Sequence, residues 1–288
     1  MRNIGYLGPE GTFTHTALEK HSRTYAQKFT LIPHSTPNKL FNALNDETCD
    51  MIFIPIENSL GGEVVTSLDC LVDLESHFTI TAEVEMHINQ CLMARQKIEN
   101  IELITDIFSH EQSLHQSQKF LQTHCPEATL HFCSSNAQAA TIVSEANFEF
   151  QDTQTHVMAC IGNKTCAELY KLNVIQEEIN DNKTNQTRFI LIGKKPPPPT
   201  GKDKTSFTFS AKQDQAGSLS DILNVLSNHH INMTRITSRP TKNKLGEYLF
   251  FIDCDGHQQD PLLKDILSTI EKKSSWYKFL GSYKRFSC

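Results

Sequence analysis

Residues 49–58 read CDMIFIPIEN. From Met51 to Ile56 the run is apolar and does not alternate, with Pro55 inside it. A strand with one wet face alternates apolar and polar residues, so a continuous run is expected where helices cover both faces of a sheet. The run stops at Glu57 and Asn58, where polar side chains begin. Strand C-terminal ends are where α/β sheets place ligand contacts.

Working outward, strand and helix signals alternate. NIGYLG (3–8) reads as a strand, THTALEKH (14–21) as a helix, FTLIP (29–33) as a strand and PNKLFNAL (37–44) as a helix opened by Pro37. TSLDCLVDL (66–74) is helical, with Leu68, Leu71, Val72 and Leu74 near one face. TITAEVEMHINQCLMA (79–94) reads as one long strand and SLHQSQKFLQTH (113–124) as one helix. ATLHFC, NAQAATIVSEA, HVMACIG, NKTCAELYKL and NVIQEEI continue the alternation, and TRFILIG (187–193) closes it. Repeated β–α alternation predicts an α/β architecture.

GKKPPPPTGKDK (193–204) marks a boundary, since four prolines favour an extended, solvated linker. Beyond it, SFTFSA, SLSDILNVLSNH, INMTRITSRP, GEYLFFIDCD, PLLKDILSTIEK and SWYKFLGS give the order β-α-β-β-α-β, a ferredoxin-like pattern. So small a sheet leaves an edge or face that a second copy can cover.

The chain has 288 residues, 38% hydrophobic and 21% charged, as in a soluble globular protein of two or three units. A net charge of −6 argues against a nucleic-acid surface. Nine widely spaced cysteines without C-x-x-C speak against zinc and a disulfide framework. Neither a secretory apolar stretch nor a bilayer-length run occurs, so a cytoplasmic protein is expected. Thirteen histidines form no H-E-x-x-H, and no G-x-S-x-G, Walker or dinucleotide motif is present. No metal or cofactor is expected.

Four polar segments remain. GPEGTFTHTA (8–17) joins a turn to a helix start, with Thr12 able to donate; taken alone, it is a cap and a tight turn. PIENSLGG (55–62) offers Glu57, Asn58 and two glycines after a strand. SHEQSLHQ (109–116) offers Ser109 as a helix cap and Gln116 two turns on. CSSNAQAA (133–140) sets Ser134 and Ser135 at another helix start. With Thr187 and Arg188 heading the last strand, the array suits a small polar anion. The residues by themselves reach no further than an anion-binding α/β protein with a small second module.

GPEGTFTHTA, PIENSLGG, SHEQSLHQ and NQTRF, in this order, resemble prephenate dehydratase over about the first 193 residues. The tail resembles an ACT domain, an amino-acid-sensing module, through AGSLSDIL and TSRP. The resemblance implies a two-lobed catalytic domain (1–193) like type II periplasmic binding proteins, with lobe 1 at about 1–80 and 175–193 and lobe 2 at about 81–174. A linker (194–204) and an ACT domain (205–288) follow. With no chorismate mutase segment before Gly5, the monofunctional form is expected. The implied reaction converts prephenate to phenylpyruvate, with loss of carbon dioxide and water; arogenate dehydratase and a non-catalytic small-anion or amino-acid binding protein are the alternatives.

By the same resemblance Thr187 assists the leaving hydroxyl, Arg188 pairs with a carboxylate and Glu57 joins the catalytic set. Asn58, Ser109, Gln116, Thr12, Ser134 and Ser135 bind substrate. L-Phenylalanine as effector would meet Ala216, Gly217, Ser218, Leu219, Ser238, Arg239 and Pro240. Family members usually carry Glu where this chain has Thr237, which removes a carboxylate from that region. A homodimer or homotetramer is expected, with no nucleic-acid or membrane partner.

Overall fold

The structure is a computed structural model that describes residues 2–146, 157–212, 216–242 and 246–287. His156, at the start of one expected strand, lies outside the described residues.

The chain opens with β1 (Arg2–Leu7), α1 (Phe13–Ser22), β2 (Phe29–His34) and α2 (Pro37–Asn45). β3 (Met51–Asn58), the short β4 (Gly62–Glu63), α3 (Val65–Asp73) and β5 (Thr79–His87) follow. Threonines cap the first two helices: Thr12 accepts from the His15 N–H, and Thr36 from the Lys39 N–H just ahead of Pro37.

The second lobe contains β6 (Cys91–Ala94), β7 (Asp106–His110), α4 (Glu111–Gln116), α5 (Gln118–His124) and β8 (Thr129–Cys133). It is completed by α6 (Asn136–Glu145), β9 (Met158–Gly162), α7 (Lys164–Tyr170) and β10 (Asn173–Gln176). The chain then returns to the first sheet as β11 (Gln186–Gly193).

The sheet of lobe 1 runs β5-β11-β3-β1-β2, and that of lobe 2 runs β10-β6-β9-β7-β8. In both, the strand arriving from the other lobe is inserted beside the third strand, antiparallel to it. Two sheets joined by two crossings make the two-lobed α/β fold. The crossings fall at 88–90 and 177–185, not near 80 and 175 as the resemblance implied, because β5 pairs with β11 and β10 with β6. The apparent strand 79–94 is thus two strands in different sheets. Likewise the helix read at 113–124 is broken at Ser117 into α4 and α5.

The apolar run at 51–56 divides as a doubly covered strand should. Ile52, Ile54 and Ile56 pack with Leu40, Leu44, Leu68 and Leu71 from α2 and α3. Phe53, on the other face, packs with Ala17 and Leu18 of α1 and with Phe189 and Leu191.

The C-terminal unit, expected to be an ACT domain and called the ACT unit below, comprises β12 (Asp203–Ala211), α8 (Ser218–Asn228), β13 (Met233–Pro240), β14 (Tyr248–Asp255), α9 (Pro261–Lys273) and β15 (Ser274–Ser287). Its sheet order is β13-β14-β12-β15. β15 runs past the strand expected at 275–282 and pairs in parallel with β5, from Lys284 opposite Ala82 to Ser287 opposite Glu85. The two sheets therefore merge into one. Gly281 permits this: at φ +147° a Cβ there would stand 2.8 Å from the Ile80 nitrogen.

The end of β15 also seals α1. His21, 2% exposed, lies against Phe53 and Phe286 and hydrogen-bonds Tyr25 across 3.1 Å. Burial pushes its pKa down to about 4, against 6.5 for an ordinary histidine. Between these values the unfolded chain binds a proton that the folded chain refuses. Stability is therefore complete above about pH 6.5 and falls as pH drops towards 4, by up to about 3 kcal/mol. Thermal melts between pH 7 and 4.5 check this: His21→Leu should flatten the decline, and an unchanged slope would mean that His21 does not titrate as argued.

Candidate active site

β3 ends and β11 begins at the edge of lobe 1 that faces lobe 2, and their register sets Thr187 opposite Asn58. Asn58 Nδ2 donates to Thr187 Oγ1 at 2.9 Å and to Asn185 Oδ1 at 2.8 Å. Asn58 Oδ1 accepts from the N–H groups of Leu60 (3.1 Å) and Gly61 (2.7 Å), which fixes the amide orientation. With an amide proton directed at the Thr187 oxygen, the hydroxyl proton is left to point elsewhere.

The network continues into lobe 2. Asn185 Nδ2 donates to Gln116 Oε1 at 2.9 Å, and Gln90 Nε2 donates to Ser113 Oγ at 3.0 Å. Asn136 Nδ2 reaches Ser113 Oγ at 2.9 Å, while Ser109 Oγ donates to Asn136 Oδ1 and to the Ile161 carbonyl, each at 3.0 Å. Ser109 is fully buried at the end of β7; the α4 cap is His110, whose Nδ1 accepts from the Gln112 N–H. At the crossings, Asn180 accepts from the Gln90 N–H (2.6 Å) and donates to the Ile88 carbonyl (2.8 Å), clamping one connection to the other.

Gln90 Nε2 also donates to Gln116 Oε1 at 3.5 Å, so four expected site residues, Asn58, Ser109, Gln116 and Thr187, belong to one chain of neutral hydrogen bonds spanning both lobes. A cleft of about 590 Å³ borders it, lined by Gly61, Gln112 and Gln116 together with His110, His115 and Asp181. Among the described residues, no lysine or arginine lines it.

Thr12, Ser134 and Ser135 lie apart from this chain. Thr12 caps α1 and donates to the Pro9 carbonyl, Ser135 caps α6, and Ser134 donates to Gln138. The Gly11–Thr12 turn still meets lobe 2, where Asn163 Nδ2 donates to the Gly11 carbonyl at 2.8 Å.

Arg188 and Glu57 require correction. Successive strand residues face opposite sides of a sheet, so Arg188 points away from Thr187. It is buried among Glu83, Asp253 (2.6 Å), Glu57 (3.4 Å) and the Tyr283 hydroxyl (3.1 Å). Asp253 and Tyr283 belong to the ACT unit, whose Lys204 also contacts both Glu83 oxygens at 2.7 Å. Arg235 of β13 pairs with Glu63 and, at 3.6 Å, with Glu57. Burial alone would lower the Arg188 pKa, but the Asp253 and Glu83 carboxylates outweigh it and hold the guanidinium firmly protonated. Both residues thus tie lobe 1 to the sheet of the C-terminal unit and do not face the cleft.

Arg239, expected among the effector contacts, pairs with Asp69 of α3 at 3.3 Å. Ala216 to Leu219 lie at the start of α8, at the same end of the ACT sheet as Ser238 and Pro240. Among the described residues, nothing lies within 4 Å of where a Gly217 Cβ would stand.

The sequence reading missed Gln90, Gln112, Ser113, Asn163 and Asn180. Gln90 carried a signal, as a polar residue interrupting an apolar run; Gln112 and Ser113 lay inside a motif already singled out. Among the described residues, no group of three His, Cys, Asp or Glu is placed to hold a metal ion, and no helix is long and apolar enough to cross a membrane.

The prephenate dehydratase family model matches residues 4–197. This chain belongs to the prephenate dehydratase family. An ACT-domain model matches residues 205–271. A bifunctional chorismate mutase/prephenate dehydratase of Pseudomonas aeruginosa is 38% identical over 97% of this chain and 72% of its own length. A prephenate dehydratase of Amycolatopsis methanolica is 32% identical over 99% of this chain and 89% of its own. The crystal structure of prephenate dehydratase from Arthrobacter aurescens, in complex with L-Phe, superposes with a TM-score of 0.84 at 33% identity, covering 98% of this chain and 90% of that one. Both modules of the prephenate dehydratase family are therefore present in one chain.

Proposed function

We propose that this chain converts prephenate to phenylpyruvate, the ring carboxylate leaving as carbon dioxide while the C4 hydroxyl departs. Aromatisation supplies the driving force, so the protein needs to orient the dianion and assist the departing hydroxide. The observation that carries this reading is the Asn58–Thr187 pair at the mouth of β11, where the Thr187 hydroxyl oxygen accepts from Asn58 and its proton meets no acceptor among the described residues, leaving it for the departing oxygen. Asn58 and Gln116 orient the substrate, while Ser109 holds the lobe 2 side of the frame through Asn136. With Arg188 turned away, the carboxylates are met by amides, hydroxyls and backbone N–H groups. The lobe crossings let the cleft close and exclude water, which strengthens such contacts.

Because the Arthrobacter aurescens protein was crystallised with L-Phe, phenylalanine is the proposed effector here as well. It would bind at Ala216–Leu219 with Ser238 and Pro240, and Arg239 would act through Asp69. Through the exposed edge of β13, two ACT units would pair as a homodimer, or within a homotetramer, in the cytoplasm.

Incubation with prephenate and, separately, with arogenate tests the reading. Phenylpyruvate should form from prephenate with the higher kcat/KM, and calorimetry should register phenylalanine binding. Turnover of arogenate alone would transfer the assignment to that substrate. No turnover of either would leave a binding protein.

A further inference from the structure

The geometry points to Gln112 as a positioning residue for this reaction: a latch that reaches from lobe 2 over Gly61 and holds Asn58, and through it Thr187, in place. The inference rests on the proposed dehydratase reading and adds a residue to it.

Three observations converge on Gln112. Its Nε2 donates to Asn58 Oδ1 at 3.4 Å, the one hydrogen bond that Asn58 receives from lobe 2 among the described residues. The same Nε2 occupies the space that a Gly61 side chain would need. Gly61 is exposed and does not have a positive φ, so its backbone makes no demand for glycine. What excludes a methyl group there is chiefly the Gln112 amide, with Asn58 Oδ1 next at 3.3 Å. Gln112 is itself held, because its N–H donates to His110 Nδ1 at the start of α4.

Mechanically, Asn58 is anchored on lobe 1 by its own turn and touches Thr187 through Nδ2. The Gln112 contact exists only while the lobes are together, so closure and the alignment of Thr187 are joined in one side chain. Misplacement of a catalytic group by about 1 Å can cost roughly 10²-fold in rate.

Three variants test this: Gln112→Met, which keeps the bulk but cannot donate; Gly61→Ala, which pushes the amide aside; and the combination. Each single change should lower kcat by roughly 10- to 100-fold, with KM changed less than kcat and melting temperature preserved. The pair should be no worse than either alone, since both remove one contact. Amide hydrogen exchange at residues 58–62, measured without substrate, should rise in all three variants. If kcat and exchange stay at the level of the parent protein, or if the two losses multiply, the latch is wrong. If the parent protein does not turn over prephenate, the dehydratase reading fails, and the exchange measurement still decides whether Gln112 holds the Asn58 turn.

Discussion

Thr187→Ala is expected to give a protein that folds and melts like the parent but has lost most of its turnover. Thr187 is half-buried, and the hydrogen bond that it forfeits is a neutral one from Asn58, which is worth about 1 kcal/mol to stability. The catalytic loss is of another order. A positioned proton donor typically contributes about 10²–10⁴ in rate, or roughly 3–5 kcal/mol of barrier. Threonine is a weak acid, so its contribution is a directed hydrogen bond to the leaving oxygen, sharpened because Asn58 already occupies the hydroxyl oxygen as acceptor. Thr187→Ser, which keeps the donor, should retain far more activity than Thr187→Ala. Steady-state kinetics on prephenate measure both. Unchanged kcat in the alanine variant would remove Thr187 from the reaction and leave the Asn58–Asn185–Gln116 chain as scaffolding.

The fold and part of the site were legible for identifiable reasons. The unbroken apolar run at 51–56 announced a strand covered on both faces, and period-specific patterning announced the helices on either side. What the sequence concealed are facts of long-range geometry. The strand signal of 79–94 is interrupted only by Asn89 and Gln90, too briefly to separate two halves that are both buried; Gln90, satisfied by Asn180 from the other crossing, lies at the break. Arg188 was drawn into the site by its adjacency to Thr187, although strand alternation alone sends neighbours to opposite faces. Its true partners, Asp253 and Tyr283, lie 65 and 95 positions away by residue number and come within reach only because β15 continues alongside β5. No local pattern encodes that pairing. Thr12 and Ser135 show the opposite error: a helix-capping hydroxyl has the same residue types as an anion site, and here the caps account for them.

Arg188→Met should cost about 3–5 kcal/mol of stability, the range for removing one partner of a buried charge pair. Glu83 retains Lys204 after this change, and Asp253 retains Arg235 at 3.6 Å, but the cation between the two carboxylates is gone. Arg188→Lys should restore little, because one ammonium cannot span carboxylates on two sides as a planar guanidinium does. The cluster also sets an acid limit. Burial pushes the Asp253 carboxyl up, but Arg188 and Arg235, with Ser206 and Lys204, outweigh it and hold its pKa below the ordinary carboxylate value. Its contribution is therefore complete above about pH 4, where the unfolded carboxyl is ionised, and is lost as pH falls through the lower folded value. Urea denaturation of the parent and Arg188→Met proteins at pH 7 and at pH 3.5 reads both effects: a large gap at pH 7 that narrows in acid. A gap below about 1 kcal/mol at pH 7, as for an exposed pair, would mean that water reaches these charges and that the merged sheet rests on its apolar contacts alone. Because Arg188 turns its back on the cleft, the folded variant should keep its kcat on prephenate, the reverse of the behaviour expected one residue earlier in the same strand.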